Sequence, residues 1–216
     1  GIIVQLPLPD GLEPALARIA PARDVDGFHP ENLGKLLRGE PGLRPCTPAG
    51  IMEMLERSGH SPAGKHAVIV GRSNIVGKPL AVMLTQANAT VTVCHTATRD
   101  LAHHTRQAEL LVVAAGRPDT VTPEMVRLGA TVVDVGVNRT ESGLVGDCAP
   151  VVAEVAGALN PVPGRVGSLA VTLLKANTAA APVDRNCLHR KRDETSTAAP
   201  PPVSYTHFRA HETLLH

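Results

Sequence analysis

The stretch Val68-Ile-Val-Gly-Arg-Ser-Asn-Ile-Val-Gly-Lys-Pro79 decides the fold of this chain. In it a run of β-branched and aliphatic residues meets Gly71, and a second glycine, Gly77, precedes an apolar run that starts at Leu80. A short apolar run that ends in glycine is typical of a buried strand. Pro79 suits the first turn of a helix, because its missing N–H needs no partner there. The stretch therefore predicts a strand, a tight turn and a helix.

A turn of this kind can bind an anion. The first N–H groups of a helix have no partner within it, and the helix dipole adds partial positive charge. Gly71 lets the backbone approach a phosphate, although Ser73 stands where the Gly-x-Gly-x-x-Gly fingerprint has its second glycine. Taken alone, the stretch leaves two interpretations equally open, a dinucleotide site and an ordinary strand–loop–helix joint.

The next predicted strand, Ala89–Cys94, bears on the choice of cofactor. It ends about 20 residues after the glycine turn, where an NAD site usually places an acidic residue for the ribose hydroxyl. No carboxylate follows that strand before Asp100. Candidate ligands for a 2′-phosphate lie nearby instead: Arg72, Ser73, Thr96 and either His95 or Arg99. We therefore predict NADP rather than NAD.

Apolar strands alternate with helices through the middle of the chain. Further strands are predicted at residues 110–115 and 130–135, and each closes on a glycine. Buried strands that alternate with helices favour a doubly wound parallel sheet, whose ligands bind at the carboxyl ends of the strands. The residues at such ends are Gly71, Thr96, Gly116 and Val137.

Two helices are predicted beside this sheet from capping signals and apolar spacing. One covers Ala49–Ser58, with Thr47 as its N-cap. The other covers Leu169–Thr178, with Ser168 as its cap. Both predictions concern elements that follow loops rich in proline or glycine.

The bulk composition excludes several classes of protein. The 216 residues suffice for one to two domains with real cores, and the formal net charge of +1 indicates no nucleic-acid or anionic-membrane partner. No apolar run approaches the roughly 18 residues that a membrane span needs. The four cysteines form no Cys-x-x-Cys motif, so neither a zinc site nor a disulfide framework is indicated. Reduced cytosolic thiols are expected.

Two polar features lie near the start of the chain. Gln5 interrupts an apolar run that begins at Ile2, and its side chain either faces solvent or is a buried amide aimed at a ligand. Asp24 and Asp26 alternate in a loop that ends in glycine, where aspartates are usually solvated turn-formers. The spacing also allows metal ligation, but no further oxygen ligand follows at calcium-loop spacing, and no metal is predicted.

Eight ordered segments resemble the bifunctional methylenetetrahydrofolate dehydrogenase/methenyltetrahydrofolate cyclohydrolase family. They are Val4–Pro9, Asp24–Gly27, Pro45–Pro48, Gly71–Pro79, Ala89–Thr92, Asp134–Asn138, Val145–Asp147 and Pro161–Gly164. The resemblance extends from residue 1 to about residue 181. So many matches in the family's order make a chance resemblance very improbable.

The resemblance implies an α/β protein, with a Rossmann-like doubly wound parallel sheet plus the remainder of a smaller α/β folate-facing domain. Residues 1–45 are expected to be part of the substrate domain, 46–167 an NADP-binding domain, and 168–182 a helix that returns to the substrate domain. The implied activity is NADP-dependent oxidation of 5,10-methylenetetrahydrofolate to 5,10-methenyltetrahydrofolate, followed by hydrolysis to 10-formyltetrahydrofolate. A cytoplasmic homodimer that acts on a folate substrate is the family's expectation.

The resemblance also assigns site residues. Gln5 would orient a catalytic lysine and Asp26 would bind the donor edge of the pterin, so these two are the candidate catalytic residues. Val4 and Leu6 would join them in the substrate site. The cofactor lining is expected from Gly71, Arg72, Ser73, Thr96 and Val137.

Three departures from the family's pattern qualify this assignment. The family's Tyr-x-x-x-Lys pair lies upstream of the strand that holds Gln5, so no residue here matches its lysine, and we interpret the chain as truncated at the amino end. Arg165 stands where the family's loop has glycine, and we expect it to weaken folate or nicotinamide binding, with backbone strain if the position needs a positive φ. Residues 183–216 match nothing in the family and are expected to be a disordered, non-native tail.

Two hypotheses for the chain therefore remain. It is either a fragment of the bifunctional enzyme or a truncated noncatalytic NADP-binding module. A third hypothesis, a Rossmann dehydrogenase that acts on an amino or hydroxy acid, is disfavoured by the Gln5 and Asp26 motifs.

Overall fold

The structure is a computed structural model, which describes residues 1–4, 8, 11, 14, 18–141 and 143–182. Residues 1–182 form one compact unit. The predictions for Gln5, for Leu6 and for the tail at 183–216 lie outside the described residues. Within the described ranges, no helix combines the length and apolar character that crossing a membrane requires.

The described residues form five α-helices, seven strands and three short 3-10 helices. The α-helices are α1 (Pro30–Arg38), α2 (Cys46–Arg57), α3 (Gly77–Gln86), α4 (Leu101–Thr105) and α5 (Arg165–Ala180). The strands are β1 (His66–Val70), β2 (Thr90–Cys94), β3 (Leu110–Val113), β4 (Thr131–Asp134), β5 (Asn138–Thr140), β6 (Gly143–Val145) and β7 (Ala158–Leu159). The 3-10 helices are Pro21–Arg23, Pro123–Met125 and Pro150–Glu154.

Five strands form one parallel sheet in the order β2-β1-β3-β4-β7, and β5 and β6 form a separate antiparallel hairpin. Since β2 pairs with one side of β1 and β3 with the other, the strand order reverses at β1. A reversal of this kind opens a crevice outside the carboxyl ends of the two central strands, where α/β proteins bind ligands. The prediction of an α/β, Rossmann-like doubly wound sheet is confirmed.

Both faces of the sheet are covered, because alternate side chains of each strand point to opposite faces. On one face, Ile69 of β1 packs with Ile51 of α2 and Leu84 of α3. On the other face, Val68 of β1 packs in a cluster that includes Val121 from the loop after β3. All five side chains are fully buried. Strands that are apolar on both faces are what a parallel sheet between two layers requires.

The starts of two helices differ from the sequence predictions. Helix α2 begins at Cys46, so Thr47 lies inside it, and the N-cap Pro45 makes no side-chain capping bond. Helix α5 begins at Arg165, so Ser168 also lies inside its helix. Packing explains the longer α5, because Val166 in its first turn is buried in the cluster that contains Ile51 and Leu55 of α2. Such packing overrides the weak propensity of the residues at the start of α5.

The backbone conformation of Arg165 follows from its place in α5. Arg165 is the first residue of this helix, so its backbone is right-handed helical and needs no glycine. The condition on which backbone strain was expected, a positive φ, is therefore not met. The expected effect of Arg165 on folate or nicotinamide binding stays a prediction.

Candidate functional site

Two glycines allow the turn between β1 and α3 to be tight. Gly71 has a φ of 134°, in a region that side chains rarely adopt. A Cβ on Gly71 would overlap the carbonyl oxygen of Ala114, and a Cβ on Gly77 would overlap the carbonyl oxygen of Gly71. The end of β1, the end of β3 and the start of α3 therefore meet in a contact that only glycine allows.

Ser73 occupies the centre of this turn. Its Oγ accepts hydrogen bonds from the N–H groups of Val76 (3.1 Å) and Gly77 (3.4 Å), and its carbonyl oxygen accepts one from Lys78 N–H (3.1 Å). The expectation that the first N–H groups of α3 are free for an anion is therefore wrong at these three positions. The hydroxyl proton of Ser73 remains available to donate, so anion recognition in this turn falls largely to side chains.

A cavity of about 560 Å³ lies at the carboxyl ends of β1, β2 and β3. Its lining includes four of the predicted cofactor residues, Gly71, Arg72, Ser73 and Thr96, together with Ala115 and Arg117. The structure thus brings together residues that are separated in sequence by more than twenty positions. This is the crevice at the strand-order reversal, where a dinucleotide binds in this class of fold.

The charge of this cavity is one-sided. Among the described residues that line it, Arg72, His95 and Arg117 are basic and none is a carboxylate. Arg99, an alternative candidate from the sequence, is not part of the lining. Sequence reasoning missed Arg117, which directly follows the glycine that closes β3. The rule that ligand residues follow the carboxyl ends of parallel strands could have found it.

Two hydrogen bonds hold the turn that contains His95. The N–H of Ala97 donates to His95 Nδ1 (3.1 Å), so Nδ1 acts as an acceptor here. The N–H of His95 itself donates to Thr98 Oγ1 (2.8 Å), which fixes the turn that also presents Thr96.

Val137 lies in a different cavity from the other predicted cofactor residues. It is 61% exposed and lines a space of about 120 Å³ at the carboxyl end of β4, with Thr47 and Pro161 among its neighbours. The two cavities sit at the ends of strands of the same sheet. An extended dinucleotide spans several strand ends, so this separation agrees with a cofactor whose two halves bind at different strands.

Two buried carboxylates lie near the carboxyl ends of the strands. Asp134 ends β4, and Asp147 follows the β5–β6 hairpin; both are almost fully buried. Burial raises the pKa of Asp134, although N–H donors from Asp147 and Cys148 oppose this shift. Both residues stand in segments that resemble the family, Asp134–Asn138 and Val145–Asp147, but their sequence context predicted no role for them.

The loop that holds Asp26 is attached to α1 and α5. The Nδ2 of Asn177 in α5 donates to the carbonyl oxygens of Val25 (2.9 Å) and Arg44 (3.2 Å). Gly27 has a φ of 75°, and a Cβ there would meet the backbone at Arg44. The loop is therefore held in one conformation by contacts on both sides of Asp26.

Asp26 is only partly buried, and no described residue donates a hydrogen bond to its carboxyl group. Burial, and secondly the charge of Asp24, raise its pKa. A parallel bridge between Ile2 and Asp24 places the segment that contains Val4 alongside this loop. Gln5 and Leu6, which follow Val4 in the sequence, lie outside the described residues. No group of three or more potential metal ligands occurs in the described part of the chain.

The fold and the basic cleft define a Rossmann-type dinucleotide-binding protein. The family model described as tetrahydrofolate dehydrogenase/cyclohydrolase, NAD(P)-binding domain, matches residues 45–186. The chain therefore belongs to the tetrahydrofolate dehydrogenase/cyclohydrolase family, which confirms the resemblance seen in the sequence.

The relatives are similar in both sequence and structure. The bifunctional protein FolD of Nitratidesulfovibrio vulgaris (strain DSM 19637 / Miyazaki F) is 60% identical over 185 residues, which cover 82% of this chain and 64% of the relative. The crystal structure of the bifunctional enzyme FolD from Campylobacter jejuni has a TM-score of 0.81 at 48% identity, covering 84% of this chain and 66% of that one. The Trypanosoma brucei enzyme, complexed with NADP cofactor and inhibitor, has a TM-score of 0.76 at 40% identity, covering 82% and 64%.

Proposed function

We propose that the complete protein is an NADP-dependent methylenetetrahydrofolate dehydrogenase and methenyltetrahydrofolate cyclohydrolase. The chain spans about 64% of the length of the FolD protein from Nitratidesulfovibrio vulgaris. We therefore assign catalysis to the complete protein and dinucleotide binding to the cleft of this chain. The observation that carries the proposal is the glycine-bounded cleft at the ends of β1, β2 and β3, which has basic residues and no carboxylate in its described lining.

The basic lining supports NADP over NAD. A ribose 2′-phosphate needs cationic and hydroxyl partners, and an acidic residue beside it would repel it. Arg72, Ser73 and Thr96 provide a guanidinium and two hydroxyls in one cavity. NADP is also the cofactor bound to the related Trypanosoma brucei enzyme.

In the proposed dehydrogenase reaction, bound NADP accepts a hydride from the one-carbon bridge of methylenetetrahydrofolate, and the product is the methenyl cation. The chain's own residues bind and orient the two reactants. Asp26, whose carboxyl takes no hydrogen bond from the described residues, is proposed to accept N–H bonds from the pterin edge when it is ionised. The proposed role of Gln5 rests on the resemblance alone.

On the basis of family membership, we also propose that the complete protein is a cytoplasmic homodimer that acts on a folate substrate. Its proposed role is in one-carbon metabolism and purine biosynthesis. No nucleic-acid or membrane partner is proposed. The final helix α5, which binds the loop containing Asp26 through Asn177, supports the idea that this loop belongs to the reaction site.

The NADP proposal is tested by titrating the chain with NADP and NAD and measuring both dissociation constants. We expect NADP to bind more tightly, and Arg72→Ala to weaken NADP by about tenfold to a hundredfold while NAD changes little, because a hydrogen-bonded ion pair to phosphate is lost. Arg99→Ala is the matched control, since Arg99 does not line the cavity. Tighter binding of NAD, or equal losses for both cofactors, would contradict the proposal.

The catalytic part is tested on the complete protein by following NADP-dependent formation of methenyltetrahydrofolate. Turnover that Asp26→Asn reduces through a higher KM for the folate would support the proposed role of Asp26. NADP binding without any turnover would instead favour the noncatalytic NADP-binding module.

A further inference from the structure

We propose that Asp147 is a positioning residue of the dinucleotide cleft, which fixes the segment Ala115–Thr120 before the cofactor binds. This segment, here called the wall segment, follows β3 and contributes Ala115, Arg117 and Thr120 to the 560 Å³ cavity. The inference rests on the proposed function, because it assigns a role in binding the same dinucleotide.

The Asp147 carboxylate holds the start of the wall segment. Its Oδ2 accepts hydrogen bonds from the N–H groups of Ala115 (2.6 Å) and Gly116 (2.8 Å). These two consecutive N–H groups follow Ala114, whose N–H makes the last bond to β1, at the carbonyl oxygen of Val70 (2.8 Å). Hydrogen bonds to an ionised acceptor are stronger than neutral ones, so this pair of contacts is a firm attachment.

The main chain of Asp147 holds the other end of the wall segment. Its carbonyl oxygen accepts hydrogen bonds from Thr120 N–H (2.8 Å) and from Val121 N–H (3.3 Å). One residue, distant in sequence, therefore anchors both ends of a loop that would otherwise depend on its own short-range contacts. Arg117 lies between the two anchors, and its position in the cleft is set by them.

Asp147 is itself held by residues that do not line the cleft. Its Oδ1 accepts from Asn138 Nδ2 (2.8 Å), and its N–H donates to Asp134 Oδ1 (2.9 Å). The side chain is 0% exposed. A buried carboxylate with no donors would be costly, but here three N–H groups face its two oxygens. In all three of these side-chain bonds an oxygen of Asp147 is the acceptor, which is the chemistry of a carboxylate.

Asparagine at this position cannot reproduce the set. Its side chain has one acceptor oxygen and one NH₂ group, so a donor must face either Asn138 Nδ2 or the two N–H groups of the wall segment. When the asparagine oxygen faces the wall segment, the two anchoring bonds lose the charge of their acceptor, and when the NH₂ group faces it, the two bonds are lost. Asp147→Asn therefore weakens the anchoring of the wall segment in either orientation, without loss of side-chain volume.

The test compares NADP dissociation constants of the unsubstituted chain, Asp147→Asn and Asp24→Asn, at a temperature where each is folded. Asp24 is the matched control, since it is also a buried carboxylate that accepts two N–H bonds, from His29 (2.7 Å) and from Asn32 (3.0 Å), away from the cleft. We expect Asp147→Asn to weaken NADP by about tenfold or more and Asp24→Asn by less than about threefold. Equal affinities for all three folded chains would overturn the inference.

A second measurement needs no variant, so it tests whether the wall segment is fixed before NADP binds even if Asp147→Asn fails to fold. Amide hydrogen exchange of the unsubstituted chain without NADP should show Ala115 and Gly116 protected to within about tenfold of Val113 in β3. Rapid exchange at these two amides, with protection only after NADP is added, would overturn the inference. If the unsubstituted chain does not bind NADP at all, the proposed function fails, and the exchange result still judges the anchoring separately.

Discussion

At the scale of single residues, Asp24 and Asp26 show how two similar positions acquire different roles. The Oδ2 of Asp24 accepts from His29 N–H and Asn32 Nδ2, so its carboxylate ties the loop to α1. Asp26 has no such donor among the described residues, and burial raises its pKa. One aspartate stabilises the loop, and the other is kept at a cost in stability, which is typical of a ligand-binding group.

Asp26→Asn should make the chain more stable at pH 7. The pKa of Asp26 in the folded chain is raised above its ordinary value of 3.8. The carboxyl of Asp26 therefore contributes to stability at pH values below 3.8, and this contribution is lost as the pH rises through the folded pKa. The gain on substitution should stay below about 1 kcal/mol, since the carboxyl is partly exposed and screened by water.

Urea denaturation at pH 7 and pH 4 checks this prediction, with Asp24→Asn as the control. The advantage of Asp26→Asn should shrink at pH 4. Asp24→Asn should be destabilised by about 1–3 kcal/mol at pH 7, because the hydrogen bonds from His29 N–H and Asn32 Nδ2 lose their charged acceptor and a buried NH₂ group gains no partner. Destabilisation of Asp26→Asn at pH 7 would show that its carboxylate has a structural partner.

At the scale of secondary-structure elements, Asn177 attaches α5 to segments nearer the start of the chain. Its Nδ2 donates to the carbonyl oxygens of Val25 and Arg44 and contacts the sulfur of Cys46 at 3.5 Å. Close packing against α2 adds to this attachment, helped by the missing side chain of Gly50. The orientation of α5 therefore determines how the loop at Asp26 is supported.

Asn177→Ala should lower the free energy of unfolding by about 1–2 kcal/mol, because the carbonyl oxygens of Val25 and Arg44 each lose an N–H donor. Thr178→Ala is the matched control in the same helix, since the Oγ1 of Thr178 donates within α5 to the carbonyl oxygen of Leu174 (2.7 Å) and to no other described residue. Urea denaturation of both variants measures the difference. Equal stabilities of the two variants would mean that α5 is held by apolar packing alone.

At the scale of the whole molecule, three cysteines report on the integrity of the core. Cys46, Cys94 and Cys148 are free and buried, and they lie in three separate regions of the chain. Burial is the main cause of a raised pKa at each thiol, and it raises the pKa of Cys46 to about 11. At neutral pH these thiols are almost entirely protonated, so they are poor nucleophiles.

We expect a thiol reagent at pH 7.5 to label these three cysteines at least about 100-fold more slowly than free cysteine, with rates that rise through the urea unfolding transition. The experiment uses the Cys187→Ser chain, because Cys187 lies outside the described residues. Peptide mapping identifies the labelled positions. Fast labelling of one cysteine in the absence of urea would reveal local opening around it.

Local signals in the sequence were sufficient for four of the five strands of the sheet and for much of the cleft. Strands β1 to β4, the glycine turn and the cavity residues Gly71, Arg72, Ser73 and Thr96 were all predicted. These features follow from apolar periodicity and from glycines at strand ends, which are properties of consecutive residues. The motifs in their order also indicated the family correctly.

Other features depend on contacts between distant segments, and only the tertiary structure decided them. Strand β7 is two residues long and exists because it pairs with β4. Arg117 rather than Arg99 lines the cavity, which depends on how the loops after β2 and β3 converge. The anchoring of the wall segment by Asp147 joins positions more than twenty-five residues apart. Spacing along the chain does not encode which buried groups become partners, because burial and pairing arise only when the strand ends meet.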